Sequence, residues 1–252
     1  MPVMPPTKPS VAAASLADYR IWLRYGRPKA GKSAGAATFP KPVFLDIEKG
    51  LSSLPVYRIG ITSFKELTEA VNVLATEQHD FQTVVIDSAT ALWELMSAEL
   101  LLETRATILR KVGGGFGEGR DIIATRFKQL YQDIVFKLAE GKRMNIVWTA
   151  HSVGDTVYRP GQENPETVEY PYAGRDNRKE LAGHLHNSAD VVIYTQRRLD
   201  KDGNEQFLWR TAPGNICVAG GRAPFSGHPC ANPSYAKLAT DLQFPKTEEK
   251  KA

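Results

Sequence analysis

The sequence predicts an α/β fold, a mostly parallel sheet with helices on both faces. Two observations carry this. Apolar, strand-like runs alternate along the chain with segments whose apolar residues recur at helical spacing. One such strand and helix are joined by Gly26-Arg27-Pro28-Lys29-Ala30-Gly31-Lys32-Ser33, which fits the phosphate-loop pattern G-x-x-x-x-G-K-[ST]. Strand, glycine loop, helix is the context that pattern requires. From average residue usage the bare pattern arises by chance in roughly 1% of chains this long.

The elements follow in order. Residues 1–18 are rich in Pro and Ala and read as a flexible arm. Residues 21–25 form an apolar run, a strand that ends at the loop. Small residues at 34–38 open a helix that stops before Pro40. Residues 43–46 read as a buried strand. Phe64, Leu67, Val71 and Leu74 lie at helical spacing, so residues 64–75 form a helix. Thr83-Val84-Val85-Ile86-Asp87-Ser88 is an apolar strand ending in an acid. Residues 89–109 and 122–139 read as helices, and 145–150 and 191–195 as strands. Within residues 197–208, Asp200-Lys201-Asp202-Gly203-Asn204 marks a hairpin turn. Two stretches, residues 110–120 and 152–178, resist assignment and read as long loops, which in a compact domain are usually functional or disordered. The chain divides into the arm 1–18, one α/β domain over 19–240 and a charged tail over 241–252. No internal repeat is evident.

The chemistry of the loop is specific. Backbone N–H groups from residues 26–34 (Gly26, Arg27, Pro28, Lys29, Ala30, Gly31, Lys32, Ser33, Ala34; Pro28 lacks an N–H) frame a nest for a β-phosphate, and the following helix N-terminus adds its dipole. Lys32 neutralises β/γ oxygens as a point charge. Ser33 offers its hydroxyl to Mg²⁺, and Asp87, ending the second motif's strand, offers a carboxylate to the same ion. Asp87 is followed by Ser88, not by a second acid, so the residue that polarises water must come from elsewhere. Val43-Phe44-Leu45-Asp46-Ile47-Glu48 brings Glu48 to the end of a neighbouring strand, where its carboxylate reaches a γ-phosphate. Ligands in such sheets bind at the carboxyl ends of the strands, and Ser33, Glu48, Asp87 and His151 all fall at or just past those ends.

These segments, together with Asn145-Ile146-Val147-Trp148-Thr149-Ala150-His151, resemble the RecA-like phosphate-loop ATPases. The likeness spans about residues 20–225. It is greatest to the small phage-encoded RecA-like proteins of single-strand annealing and recombination, AAA-type nucleotide-binding proteins. The resemblance implies ATP and Mg²⁺ as cofactors and ATP hydrolysis stimulated by DNA. It makes Glu48 the residue that activates water and His151 the strand-end sensor of the γ-phosphate, where family members often carry Gln. It implies single-stranded DNA as partner, held by the two loops. The matching positions are Arg110, Lys111, Phe116 and Arg120 in the first, then Tyr158, Arg159, Tyr172, Arg175, Arg178 and Lys179 in the second. Cations interleaved with aromatics suit unpaired strands, because phosphates need charge and bases stack. It further implies self-assembly into a ring or filament, with a single-strand-binding protein as a further partner. In such assemblies a Lys-x-Arg acts on the neighbour's γ-phosphate. Here the segment reads Ala219-Gly220-Gly221-Arg222, so Arg222 matches and Gly220 replaces the Lys. The rival readings are a replication, helicase-loading or packaging motor on the same core, and an ATP-gated DNA-binding scaffold with little turnover.

Composition narrows the field. Net charge is +4 and the pI about 9.0, compatible with an anionic partner. Cys217 and Cys230 cannot make a disulfide framework, which points to a reducing cytoplasm, the host's if phage-encoded. No apolar run reaches the ~20 residues of a membrane helix, and the start lacks a signal peptide's apolar core. His184, His186, Cys217, His228 and Cys230 match no common zinc spacing.

Overall fold

The computed structural model describes residues 19–158, 164–173, 181–212, 214, 216–221, 230–231 and 233–236. Six strands run parallel at its centre: β1 (Ile21–Gly26), β2 (Pro42–Asp46), β3 (Tyr57–Gly60), β4 (Thr83–Asp87), β5 (Asn145–Val157) and β7 (Val191–Leu199). Four more, β6 (Glu166–Tyr172), β8 (Glu205–Arg210), β9 (Gly220–Gly221) and β10 (Cys230–Ala231), pair antiparallel. The order is β10-β8-β7-β1-β5-β4-β2-β3, with β6 on β5 and β9 on β7. The expected α/β class with a mostly parallel sheet is therefore the observed one.

The helices are α1 (Lys32–Ala36), α2 (Phe64–Thr76), α3 (Ala89–Thr104), α4 (Glu118–Ile134) and α5 (Leu181–Ser188). They are shared unequally between the faces. Leu23, Tyr25, Leu45, Ile86, Trp148 and Tyr194 point to one side, where they meet apolar residues of α2, α3, α4 and α5. Trp22, Phe44, Val85, Val147 and Ile193 point to the other, where they meet Ala36 of α1, Phe39, Leu51 and Trp209. Central strands buried on both faces read as unbroken apolar runs, as Val84-Val85-Ile86 does. No described helix is long and apolar enough to cross a membrane.

Several sequence expectations are corrected. The helix expected over 89–109 ends at Thr104, because Arg105 turns left-handed with φ 55°, and residues 109–111 form one 3-10 turn. The next helix starts at Glu118, four residues before the expected 122, and ends in a π-helical stretch, Val135–Glu140. β3 was not anticipated: it has four residues, is largely exposed and follows a Pro, so it has little apolar pattern. The stretch expected as a long irregular loop after residue 151 is largely a β-hairpin. β5 continues through Val157 and β6 returns along it, in register from His151 opposite Tyr172 to Val157 opposite Glu166. The two strands satisfy each other's backbone groups where β5 runs beyond the sheet.

Candidate active site

The loop after β1 is shaped by close packing at its two glycines. A Cβ on Gly26 would lie 2.1 Å from the Thr195 carbonyl oxygen of β7, so the strand can only leave the sheet here without a side chain. Gly31 caps α1 with φ 80°, and a Cβ there would meet the Phe207 ring at 2.8 Å. Between them Lys29 is left-handed, with φ 60°. The loop closes tightly, Ala30 N donating to Arg27 O at 3.2 Å and Gly35 N to Gly31 O at 3.0 Å.

Lys32 opens α1, with its side chain folded across the loop. The ammonium donates to the carbonyls of Gly26 (3.2 Å) and Arg27 (3.0 Å) and lies 3.4 Å from His151 Nδ1. Burial lowers its pKa, while the nearby Glu48 and Asp87 carboxylates oppose that shift. Ser33, one residue on, donates its hydroxyl to Asp87 Oδ2 at 2.8 Å. Thr149 on β5 donates to Oδ1 of the same carboxylate. Asp87 is buried, and desolvation raises its pKa against the pull of both hydroxyl bonds.

Glu48 stands two residues beyond β2. Its position is set by the backbone, since the N–H groups of Ile47 (2.8 Å) and Glu48 (3.0 Å) both donate to the carbonyl of Asp87. Its side chain accepts from His151 Nε2 at 3.1 Å. That bond, helped by Ser88, holds the Glu48 carboxyl down at about 2 despite partial burial. His151 lies opposite Gly26 in the register of β1 and β5. Its N–H donates to Thr90 Oγ1 (2.9 Å), whose hydroxyl donates to the Tyr172 carbonyl (2.5 Å). The His151 ring thus bridges the Lys32 ammonium on its Nδ1 side and the Glu48 carboxylate on its Nε2 side.

Lys32 and Ser33 of α1, Glu48 after β2, Asp87 of β4 and His151 of β5 thus come from four separate segments to one end of the sheet, around one loop. Ala34 continues α1 and is exposed. Thr149 and Thr90 are additions that sequence reasoning missed. Thr149 sits two positions before His151, so strand alternation puts both on the sheet face that carries Asp87, which was the available signal. Arg24 was missed too. It is fully buried on the α1 face, 4.0 Å from the Trp209 ring, and no described residue accepts a hydrogen bond from it.

The residues proposed for DNA are spread differently. Arg110 and Lys111 are exposed on the 3-10 turn. Phe116 is fully exposed, held at φ 53° in a glycine-rich turn. Arg120 is not a loop residue: it lies in the first turn of α4 and is half-buried. Tyr158 is exposed just past β5. Tyr172 is a strand residue rather than a loop residue, half-buried at the base of the hairpin opposite His151. Arg159, Arg175, Arg178, Lys179 and Arg222 lie outside the described residues. His184 packs edge-on against Phe127 and Tyr131, at 6.2 and 4.7 Å between ring centroids, which is a core-edge role.

Residues 17–223 match the AAA domain family over most of the chain. The chain belongs to the AAA domain family. It is a phosphate-loop ATPase domain, and the convergence of Lys32, Ser33 and Asp87 lies within the matched span. A KaiC-like protein from the hyperthermophilic archaeon Pyrococcus horikoshii OT3 is similar in structure, with 14% identity and a TM-score of 0.43 over 86% of this chain and 91% of that one. No curated protein matches.

Proposed function

We propose that the chain is a RecA-like ATPase that hydrolyses ATP and acts on single-stranded DNA in recombination or strand annealing, as a ring or filament. The observation that carries the catalytic part is the chain of contacts Lys32–His151–Glu48 beside the Ser33–Asp87 pair. A hydroxyl and a buried carboxylate, both hard oxygen donors, fit Mg²⁺, and Ser33 and Asp87 would hold it. When bound, that ion offsets charge on the transferred phosphoryl group.

The protein's own groups do the rest. Loop N–H groups orient the phosphates and Lys32 leaves its carbonyl partners for the β/γ oxygens. Glu48 holds the attacking water and takes its proton. A carboxylate at about 2 is a weak base; it gains basicity when His151 turns from it toward a γ-phosphate. His151 therefore links arrival of the nucleotide to release of the base. Its backbone N–H, through Thr90, is also tied to Tyr172 of the hairpin.

The DNA part is supported by exposed Arg110, Lys111, Phe116 and Tyr158, the cation-and-aromatic mixture that unpaired strands take. The test is ATP turnover with and without a single-stranded oligonucleotide, with particle size measured in both states. Stimulation accompanied by a larger particle supports the reading. Turnover indifferent to DNA leaves the ATPase and removes the recombination role. Oligonucleotide binding without turnover favours the scaffold.

A further inference from the structure

Arg27, the first residue after Gly26 in the phosphate loop, has a role outside the phosphate chemistry. Its Nε and Nη2 both donate to Oε1 of Glu169, at 2.8 and 2.6 Å. The two partners differ sharply in setting: the Arg27 side chain is 72% exposed and that of Glu169 6%. Glu169 lies mid-strand in β6, opposite Gly154, three residues past His151 on β5. Its backbone is also fixed. Its N–H donates to Ile216 O (2.8 Å), and its carbonyl accepts from Val218 N (3.3 Å) and from the Tyr25 hydroxyl (3.1 Å). One residue thus joins the phosphate loop, the end of β1, residues 216–218 and the β5–β6 hairpin. A cavity of about 590 Å³, lined by Arg27, Thr167, Glu169, Tyr194 and Gln196, adjoins the pair and gives Arg27 room to move.

A buried carboxylate that loses its cation keeps an uncompensated charge in a low-dielectric setting. Any loop motion that carries Arg27 away must therefore drag β6 with it or leave that charge unpaired. We propose that the Arg27–Glu169 ion pair couples the phosphate loop to the β5–β6 hairpin, making Glu169 a positioning residue through which nucleotide occupancy reaches that hairpin. The proposal rests on the nucleotide-binding reading above, but not on DNA binding. The coupling is reciprocal: whatever fixes the hairpin also fixes the loop.

The test is hydrogen exchange on the full chain, with and without a non-hydrolysable ATP analogue at saturation, occupancy being checked by titration. In the parent, exchange across residues 152–157 and 166–172 should change at least about fivefold, the lower end of ordinary coupling. In Glu169→Gln and in Arg27→Ala the analogue, raised until it saturates, should change it less than about twofold. A merely structural role would speed hairpin exchange equally in both states and preserve the ratio. A preserved ratio overturns the proposal, as does an unresponsive hairpin in a parent shown to hold the analogue. Should Arg27→Ala not fold, having left the buried Glu169 carboxylate without its cation, Glu169→Gln decides alone, because the neutral amide carries no charge to compensate. If titration shows no binding to the parent, the nucleotide reading fails first and this proposal with it.

Discussion

Replacing Asp87 by Asn separates stability from function at this site. The Asp87 carboxylate is buried and accepts from Ser33 and Thr149. Burying a charge costs several kcal/mol, and each hydrogen bond to a charged group returns about 1.5–3 kcal/mol. Two such bonds, with help from nearby Lys32, nearly offset the penalty, and the raised pKa says the balance still disfavours the ion. A carboxyl with a raised folded pKa takes its proton more readily in the folded state. Stability is then highest at acid pH and falls as pH rises from the ordinary Asp value of 3.8 through the higher folded one. At neutral pH Asn avoids that cost, keeps an acceptor for Thr149 and can donate to Ser33. We expect Asp87→Asn to be between equal to the parent and about 2 kcal/mol more stable without nucleotide, a rise of up to ~4–8 °C in Tm. Magnesium-dependent ATP binding should meanwhile weaken at least about tenfold. Thermal melts at pH 7 and pH 4, with nucleotide titrations, check both arms. A Tm drop beyond about 5 °C, or a parent that is more stable at neutral than at acid pH solely through this residue, would refute the reasoning.

Lys32→Ala removes the cation that lies across the loop, and ATP affinity measured by titration should fall at least about tenfold, or ~1.4 kcal/mol. Gly31→Ala forces a left-handed Cβ against the Phe207 ring. Urea melts should show a loss of roughly 1–2 kcal/mol for the backbone alone and more from overpacking; a loss below ~0.5 kcal/mol contradicts that geometry. Phe116→Ala removes a fully exposed ring, so stability should stay within about 0.5 kcal/mol. Affinity for a single-stranded oligonucleotide should weaken by roughly 1–3 kcal/mol if a base stacks there, and an unchanged value removes Phe116 from the interface.

The parts of the fold that were legible in the sequence are those whose pattern is local. Buried central strands announce themselves as apolar runs, and the loop as a pattern of glycines and cations, so β1, β2, β4 and the start of β5 were read within a residue or two. The hairpin after His151 was not. Val153, Asp155 and Val157 alternate with Gly154 and Thr156, but Gly, Pro and acidic residues nearby imitate a loop, and the pairing of β6 is a long-range fact. The end of α3 depended on one left-handed Arg105, a conformation that no periodicity encodes. At the site, acids and cations at strand ends were visible because chemistry requires them there. Thr149, Thr90 and Glu169 were not, since each acts through a partner about 60 to 140 residues away in sequence.

The central claim is that this site hydrolyses ATP with Glu48 as the base, and turnover of Glu48→Gln at saturating ATP and Mg²⁺ tests it most directly. Gln keeps the shape of the side chain and loses the carboxylate that His151 now holds. Phosphate release should slow by about 10²–10⁴ while ATP still binds. Turnover within twofold of the parent, with ATP bound, would contradict the account and reduce Glu48 to a structural partner of His151.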